Sequence, residues 1–168
     1  MRGLALALAL ALVVAGPAVA ADLVPTAEGK VVAIRVQDRD GRDVDPTALG
    51  GRLTLVHFWA SWCASCRTEF PAIDALQRDM RGDGVRVAAV SIDRLAWPAM
   101  DRTTGPLGIC EVTVLHDRNR EAAQSLAIPG LPTTVVLDAR GREVARVIGA
   151  GDWDEPELRA KLRDLAGR

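Results

Sequence analysis

Apolar and polar residues alternate along the chain in blocks that predict strands and helices in turn. Two runs, Leu53–Trp59 (LTLVHFW) and Val85–Ile92 (VRVAAVSI), are almost wholly apolar or β-branched, which is typical of strands buried on both faces of a sheet. The segment between them, residues 63–81, has the helical spacing of apolar side chains that marks one buried face. Its stripe consists of Phe70, Ile73, Leu76 and Met80. This region therefore predicts a β–α–β unit.

The flanking segments extend this pattern on both sides. In chain order they predict a strand at 31–36, a turn or hairpin at 37–44, short helices at 97–104 and 120–127, strands at 133–137 and 143–148, and an amphipathic helix at 154–165. Alternating strands and helices followed by a hairpin predict an α/β fold, with a mixed central sheet and helices on both faces. We expect one domain over residues 21–168, with an N-terminal extension before the β–α–β unit.

The first twenty residues have a different composition. Arg2 precedes an apolar stretch from Leu4 to Ala15, and Gly16-Pro17 and the small residues 18–20 follow. This layout predicts a secretory signal peptide at 1–20, cleaved after Ala20, and hence a periplasmic protein. The alternative is an uncleaved membrane anchor, although the apolar stretch is short against the roughly 20 residues that a bilayer requires.

Charge and length narrow the possible functions. The 168 residues include 21 basic and 22 acidic side chains, for a net charge of −1. Such a balance gives no basic surface for nucleic acid and no acidic disordered tail. We expect a monomer that binds no nucleic acid.

Cysteine chemistry is the strongest functional signal. Cys63 and Cys66 follow a predicted buried strand and open a predicted helix. The unpaired amides and the dipole of a helix N-terminus stabilise a thiolate there. Cys66, one turn further on, is placed to resolve a mixed disulfide formed by Cys63. The pair therefore predicts dithiol–disulfide exchange with no metal and no separate cofactor.

Other uses of the pair remain open. Half of a zinc site would need further ligands, and the chain offers only Cys110, His57 and His116, without a zinc-type spacing. A structural disulfide across so short a loop would stabilise little. Peroxidase chemistry is a third alternative. A fourth is a copper-binding chaperone module, in which the two cysteines act as soft ligands for Cu(I).

Two separated motifs resemble a known family. The segment from Phe58 to Pro71, FWASWCASCRTEFP, looks like the active-site signature of TlpA/ResA-like periplasmic thiol–disulfide oxidoreductases, within the thioredoxin-like superfamily. Gly130 to Thr134, GLPTT, looks like that family's cis-proline loop. The resemblance covers about residues 24–166. It implies a thioredoxin-like fold and protein-disulfide reductase activity.

The resemblance also implies roles for further residues. Pro132 would carry a cis peptide bond and face the cysteines, with Trp62, Leu131 and Thr133 contacting the client protein. Glu69 matches an acidic residue that tunes thiol pKa values and relays protons, or it is simply an exposed helix carboxylate.

His57 departs from the family, in which aspartate or asparagine stands at this position. By strand alternation it shares a face with Leu55 and Trp59. A neutral imidazole beneath the cysteines is a possible proton acceptor for Cys66. The alternative is a hydrogen-bonded core histidine. For the odd cysteine, Cys110, we expect a buried, inert thiol.

The direction of exchange follows from the residues between the cysteines. Ala64-Ser65 supplies no cation to stabilise the reduced form, which favours a low potential and a reductant. The resemblance implies clients in cytochrome c maturation or oxidase metal-site assembly, and a membrane thiol transporter as electron donor.

Overall fold

The computed structural model describes residues 21–26 and 31–167. Eight strands form one sheet. They are β1 (Val24–Pro25), β2 (Val36–Gln37), β3 (Asp43–Val44), β4 (Leu53–Trp59), β5 (Val85–Ser91), β6 (Thr113–His116), β7 (Thr133–Asp138) and β8 (Glu143–Ile148). The α-helices are α1 (Ala64–Met80), α2 (Trp97–Thr104), α3 (Glu121–Ser125) and α4 (Pro156–Ala166), and short 3₁₀ helices span Pro46–Leu49 and Gly105–Leu107.

The sheet is mixed, as predicted, and β4 lies at its centre. The strand order is β1-β8-β7-β4-β5-β6-β2-β3. β4 runs parallel to β5 and antiparallel to β7. All seven residues of β4 are buried, so both faces of the strand are covered, which explains why its sequence is apolar without alternation.

Helix α1 connects the two parallel central strands and buries one face against them. Phe70 packs edge-to-face on Trp59 of β4, with ring centroids 4.8 Å apart. Gln77 lies on the same buried side, where its amide oxygen accepts the backbone N–H of Val87 at 2.6 Å and its amide nitrogen donates to the carbonyl of Val85. These bonds hold the C-terminal part of α1 to β5.

The N-terminal extension contributes strands at both edges of the sheet, and here the prediction needs correction. Residues 31–36 do not form one strand. Only Val36–Gln37 pairs as β2, against β3 and β6, and Val31 makes an isolated bridge to Arg142. Ile34 is buried. The apolar residues of this segment therefore pack into the core without forming a continuous hydrogen-bonded strand. The sequence also gave no sign of β1, which pairs with β8.

A buried carboxylate on α1 organises the loop that leads into β6. Asp74 Oδ1 accepts the backbone N–H groups of Cys110, Glu111 and Val112 at 3.1, 2.8 and 3.2 Å. Three amides on one ionised oxygen form charge-assisted bonds in a water-poor position. The side chain of Asp74 therefore replaces the backbone partners that this loop lacks.

We expect Asp74→Ala to lower the free energy of unfolding by about 3 kcal/mol, because it leaves three loop amides without their acceptor. Chemical denaturation followed by circular dichroism measures this loss. Asp74→Asn is the matched control, since its amide oxygen can still accept, and it should lose less than half as much. Equal losses in both variants would show that the oxygen is not the stabilising group.

The predicted signal peptide, residues 1–20, lies outside the described residues. Within residues 21–26 and 31–167, none of the helices has both the length and the apolar character needed to cross a membrane.

Candidate active site

Cys63 and Cys66 form a disulfide at the junction between β4 and α1. The two sulfurs are 2.06 Å apart. Cys63 is the N-cap of α1, and its Sγ accepts the backbone N–H of Cys66 at 3.2 Å. The hydroxyl of Ser65 lies 3.5 Å from the same sulfur. A thiolate at Cys63 would therefore meet hydrogen-bond donors and the positive end of the helix.

The two cysteines differ in accessibility. Cys63 retains 8% of its surface, whereas Cys66 retains none. The structure therefore leaves Cys63 as the sulfur that another molecule can reach, with Cys66 buried behind it.

The Pro132 loop lies at the same end of the sheet as the disulfide. Phe58, near the end of β4, pairs with Thr133 at the start of β7. The residues just before β7 and those just after β4 therefore meet at the same end of these two central strands. The peptide bond between Leu131 and Pro132 is cis, as the family resemblance implied.

Two of the three predicted client-contacting residues have accessible side chains. Trp62 is 63% exposed next to Cys63, and Leu131 is partly exposed. Thr133 is fully buried, and its hydroxyl donates to the carbonyl of Gly130 at 2.8 Å. The expectation that Thr133 contacts a client is therefore not supported, because its side chain is used to shape the loop.

An aspartate that the sequence analysis missed holds the loop before Cys63. Asp93, buried after β5, accepts the backbone N–H of Ser61 at 2.7 Å and its hydroxyl at 2.9 Å. Asp93 is itself held by the hydroxyl of Ser91, while His116 Nε2 donates to its carbonyl at 2.7 Å. This network fixes the segment that presents Trp62.

Glu69 is buried one turn beyond Cys66. It is therefore not the exposed helix carboxylate that the sequence left as an alternative. Its Oε2 accepts the indole N–H of Trp153 at 2.8 Å and the backbone N–H of Gly151 at 3.1 Å. Burial raises the pKa of Glu69 to about 7, although these two bonds to Oε2 lower it in part. A carboxyl with a pKa near neutrality can both take up and release a proton at ordinary pH.

His57 is buried in the face of β4 that α1 covers, together with Trp59 as predicted. Its Nδ1 lies 2.9 Å from the hydroxyl of Thr134, its partner in the β4–β7 ladder. Its Nε2 lies 3.5 Å from Glu69 Oε1. Burial lowers the pKa of His57 to about 3, so the ring is neutral and the contact is not an ion pair.

Both ring nitrogens of His57 therefore face other side chains. The structure gives no support for direct proton transfer from Cys66 to His57, because the ring nitrogens face Thr134 and Glu69. The partners Thr134, Gly151 and Trp153 were not predicted. Only the placement of Thr134 opposite His57 could have been found from the sequence, by aligning the two predicted strands.

The prediction for Cys110 was wrong. Its thiol is free and exposed rather than buried, because the three amides of residues 110–112 turn inward to Asp74 and leave the side chain outside. In the part of the chain that the structure describes, no three His, Cys, Asp or Glu side chains gather as a metal site would require.

Comparison with known proteins agrees with this geometry. The family model described as Redoxin matches residues 20–162, which is most of the chain. The chain belongs to the Redoxin family. The predicted resemblance to ResA-like proteins is confirmed, because this Redoxin-family protein is 29% identical over 130 residues to the thiol-disulfide oxidoreductase ResA of Oceanobacillus iheyensis, covering 77% of this chain and 66% of that one.

Two further relatives support the same placement. The thiol:disulfide interchange protein HelX of Rhodobacter capsulatus is 30% identical over 119 residues, covering 68% of this chain and 61% of its own. A solved structure described as a thiol:disulfide interchange protein DsbE from Chlorobium tepidum superposes with a TM-score of 0.72 at 25% identity, covering 83% of this chain and 96% of that one. The thioredoxin-like fold is thereby confirmed. The Redoxin-family chain spans about two thirds of the length of these sequence relatives.

Proposed function

We propose that this Redoxin-family protein is an exported thiol–disulfide oxidoreductase that reduces disulfides in client proteins through Cys63 and Cys66. The observation that carries the proposal is the asymmetric pair at the N-terminus of α1, with one reachable sulfur and one buried sulfur. The names of the sequence relatives, which include oxidoreductases and interchange proteins, agree with it.

The first step uses Cys63 alone. In the reduced protein its thiolate attacks one sulfur of the client disulfide, forming a Cys63–client disulfide and releasing the other client sulfur as a thiolate, which takes a proton from water. The exposed indole of Trp62 and the partly exposed Leu131 flank this approach. The backbone of Leu131 can pair with an extended client segment as an added strand.

The second step needs a proton acceptor. The Cys66 thiol passes its proton to the Glu69 carboxylate, and the resulting thiolate attacks Cys63 Sγ. The Cys63–Cys66 disulfide forms, and the second client sulfur leaves as a thiolate that takes a proton in turn. Two electrons have then moved from the cysteine pair to the client. Glu69 suits this role because it lies one turn from Cys66 on the buried face of α1.

The cellular setting follows from the N-terminal sequence and the resemblance. Residues 1–20 have the pattern of a signal peptide, which supports a periplasmic location. We infer clients with accessible disulfides, such as apocytochrome c or the cysteine metal sites of oxidase assembly factors. A membrane thiol donor would restore the reduced pair.

The direction of exchange can be tested by equilibrating the protein with glutathione buffers and quantifying the oxidised fraction. We expect a potential more negative than about −200 mV, because no cation stands between the cysteines to stabilise the thiolate. A value near about −120 mV, the range of strong disulfide-forming oxidants, would contradict the reductive direction. Failure of the pair to equilibrate at all would contradict exchange itself.

A further inference from the structure

Trp59 Nε1 and two further buried side-chain atoms have no hydrogen-bond partner among the described residues, and those two face each other beneath the active site. They are His57 Nε2 and Glu69 Oε1, 3.5 Å apart. The separation is slightly longer than an ordinary hydrogen bond, and a small movement of either side chain closes it. An unpaired buried polar atom is costly, so the pair has a reason to bond.

The other oxygen of Glu69 is already engaged. Oε2 accepts two N–H groups, from Trp153 and Gly151, and neither donor can be reversed to accept a proton. Protonation of the carboxyl therefore falls on Oε1, the oxygen that faces His57.

The ring of His57 can serve Oε1 in either state. When Oε1 carries a proton, it donates to a bare Nε2, and the ring proton sits on Nδ1. When Oε1 is ionised, Nε2–H donates to it, and Nδ1 is bare. On the far side, the hydroxyl of Thr134 lies 2.9 Å from Nδ1 and can accept in the first case and donate in the second.

We propose that His57 is a positioning residue whose neutral ring changes tautomer with the protonation of Glu69, so that Oε1 remains hydrogen-bonded before and after it takes the Cys66 proton. In this change Nε2 gives up one proton and Nδ1 takes one, so the ring stays neutral and the pair gains only the proton on Oε1. The inference rests on the proposed function for the origin of that proton. When the buried carboxyl of Glu69 ionises, it requires a new hydrogen-bond donor. His57 provides that donor without acquiring charge.

The groups packed around Glu69 come from three parts of the chain. Around Glu69, β4 presents His57, the segment after β8 presents the Trp153 indole and the Gly151 amide, and α1 itself presents Cys66 one turn earlier. Burial raises the pKa of the carboxyl and lowers that of the ring. Both shifts keep the pair in the two neutral-ring states that the tautomer change requires.

The direct test is ¹⁵N NMR of the histidine rings in the oxidised protein between about pH 5.5 and 8.5. We expect the ring proton of His57 to move from Nδ1 to Nε2 with the same midpoint as the ¹³C signal of the Glu69 carboxyl. The chain has 2 histidines, and His116 is the comparison ring because its Nε2 lies against a backbone carbonyl, which can only accept a hydrogen bond. In Glu69→Gln, the His57 tautomer should no longer depend on pH.

A second measurement connects the tautomer to turnover. In His57→Phe the ionised carboxyl loses its donor, so we expect reductase turnover about tenfold lower at pH 7 with recovery near pH 8.5. His57→Asn, whose amide can donate and accept, should lose less. A purely structural role would lower the rate equally at every pH.

The outcomes separate this inference from the proposed function. One unchanging His57 tautomer while Glu69 titrates, or a doubly protonated ring, overturns the inference even when the wild type reduces disulfides. Absence of reductase activity in the wild type overturns the proposed function, whereas the NMR result still decides the tautomer change. The NMR measurement needs only the wild type and so does not depend on whether the His57 variants fold.

Discussion

Cys63→Ser should lower disulfide-reductase activity by about a thousandfold or more, because it removes the nucleophile that a client can reach. Cys66 cannot substitute for it, since none of its surface is exposed. The measurement is the rate of reduction of a model protein disulfide by the pre-reduced protein. A residual rate within tenfold of wild type would place the reactive sulfur elsewhere.

Cys66→Ser should give a different defect from the same assay. Cys63 still attacks, but the mixed disulfide has no buried thiol to resolve it, so covalent client complexes accumulate and are visible on non-reducing gels. Cys110→Ser is the control: this exposed thiol is remote in sequence from the pair, and its loss should change the rate by less than about twofold. Complexes that persist in Cys63→Ser would contradict the assignment.

The second large effect is on how stability depends on pH. The pKa of His57 is lowered from 6.5 to about 3, and that of Glu69 is raised from 4.5 to about 7. From pH 4.5 to 6.5 the unfolded chain binds a proton at His57 that the folded protein does not. Over the same range the folded protein binds one at Glu69 that the unfolded chain does not. The slopes are of opposite sign, about 1.4 kcal/mol per pH unit each, and they cancel.

Removing either ionisable group should reveal the pH dependence of stability that the other contributes. Relative to wild type, Glu69→Gln should gain about 3 kcal/mol of stability as pH rises from 4.5 to 7, because wild-type Glu69 loses its contribution across that window. His57→Asn should gain a similar amount, relative to wild type, as pH falls from 6.5 to 4.5. Urea denaturation at several pH values yields both difference curves.

A surface change that removes no ionisable group is the control for these curves. Ile148→Val alters an exposed apolar side chain on β8 and should leave a curve parallel to that of wild type. If Glu69→Gln and wild type also gave parallel curves, Glu69 would not be protonated in the folded protein near neutral pH. The proposed proton transfer from Cys66 would then lose its acceptor.

Much of the architecture could be predicted from local pattern. β4, α1 and β5 have long, uniform apolar signals, because each is buried on at least one complete face, and their bounds lie within a residue or two of the prediction. The short strands at and next to the edges of the sheet were predicted poorly. β1 and β2 contain two residues each, too few for a periodic pattern to emerge.

The redox motif was found for a similar reason. Cys63 and Cys66 are close in sequence, and their position after a buried strand and before a helix is a local property. The family resemblance added Pro132, which tertiary pairing of β4 with β7 brings to the same edge. The client surface was predicted less well, since Thr133 lies in a row of buried strand residues and sequence alone does not show exposure.

By itself, therefore, the sequence determined the α/β class, the central strands and the paired cysteines at a helix start, because these depend on residues that are neighbours along the chain. Only the tertiary structure decided what surrounds Glu69 and His57. Their partners Thr134, Gly151 and Trp153 are 77 to 84 residues distant along the chain, and burial at such a junction depends on how the whole sheet packs. The protonation of a carboxyl is set by that burial, and so the acid–base chemistry of the site is a property of the fold.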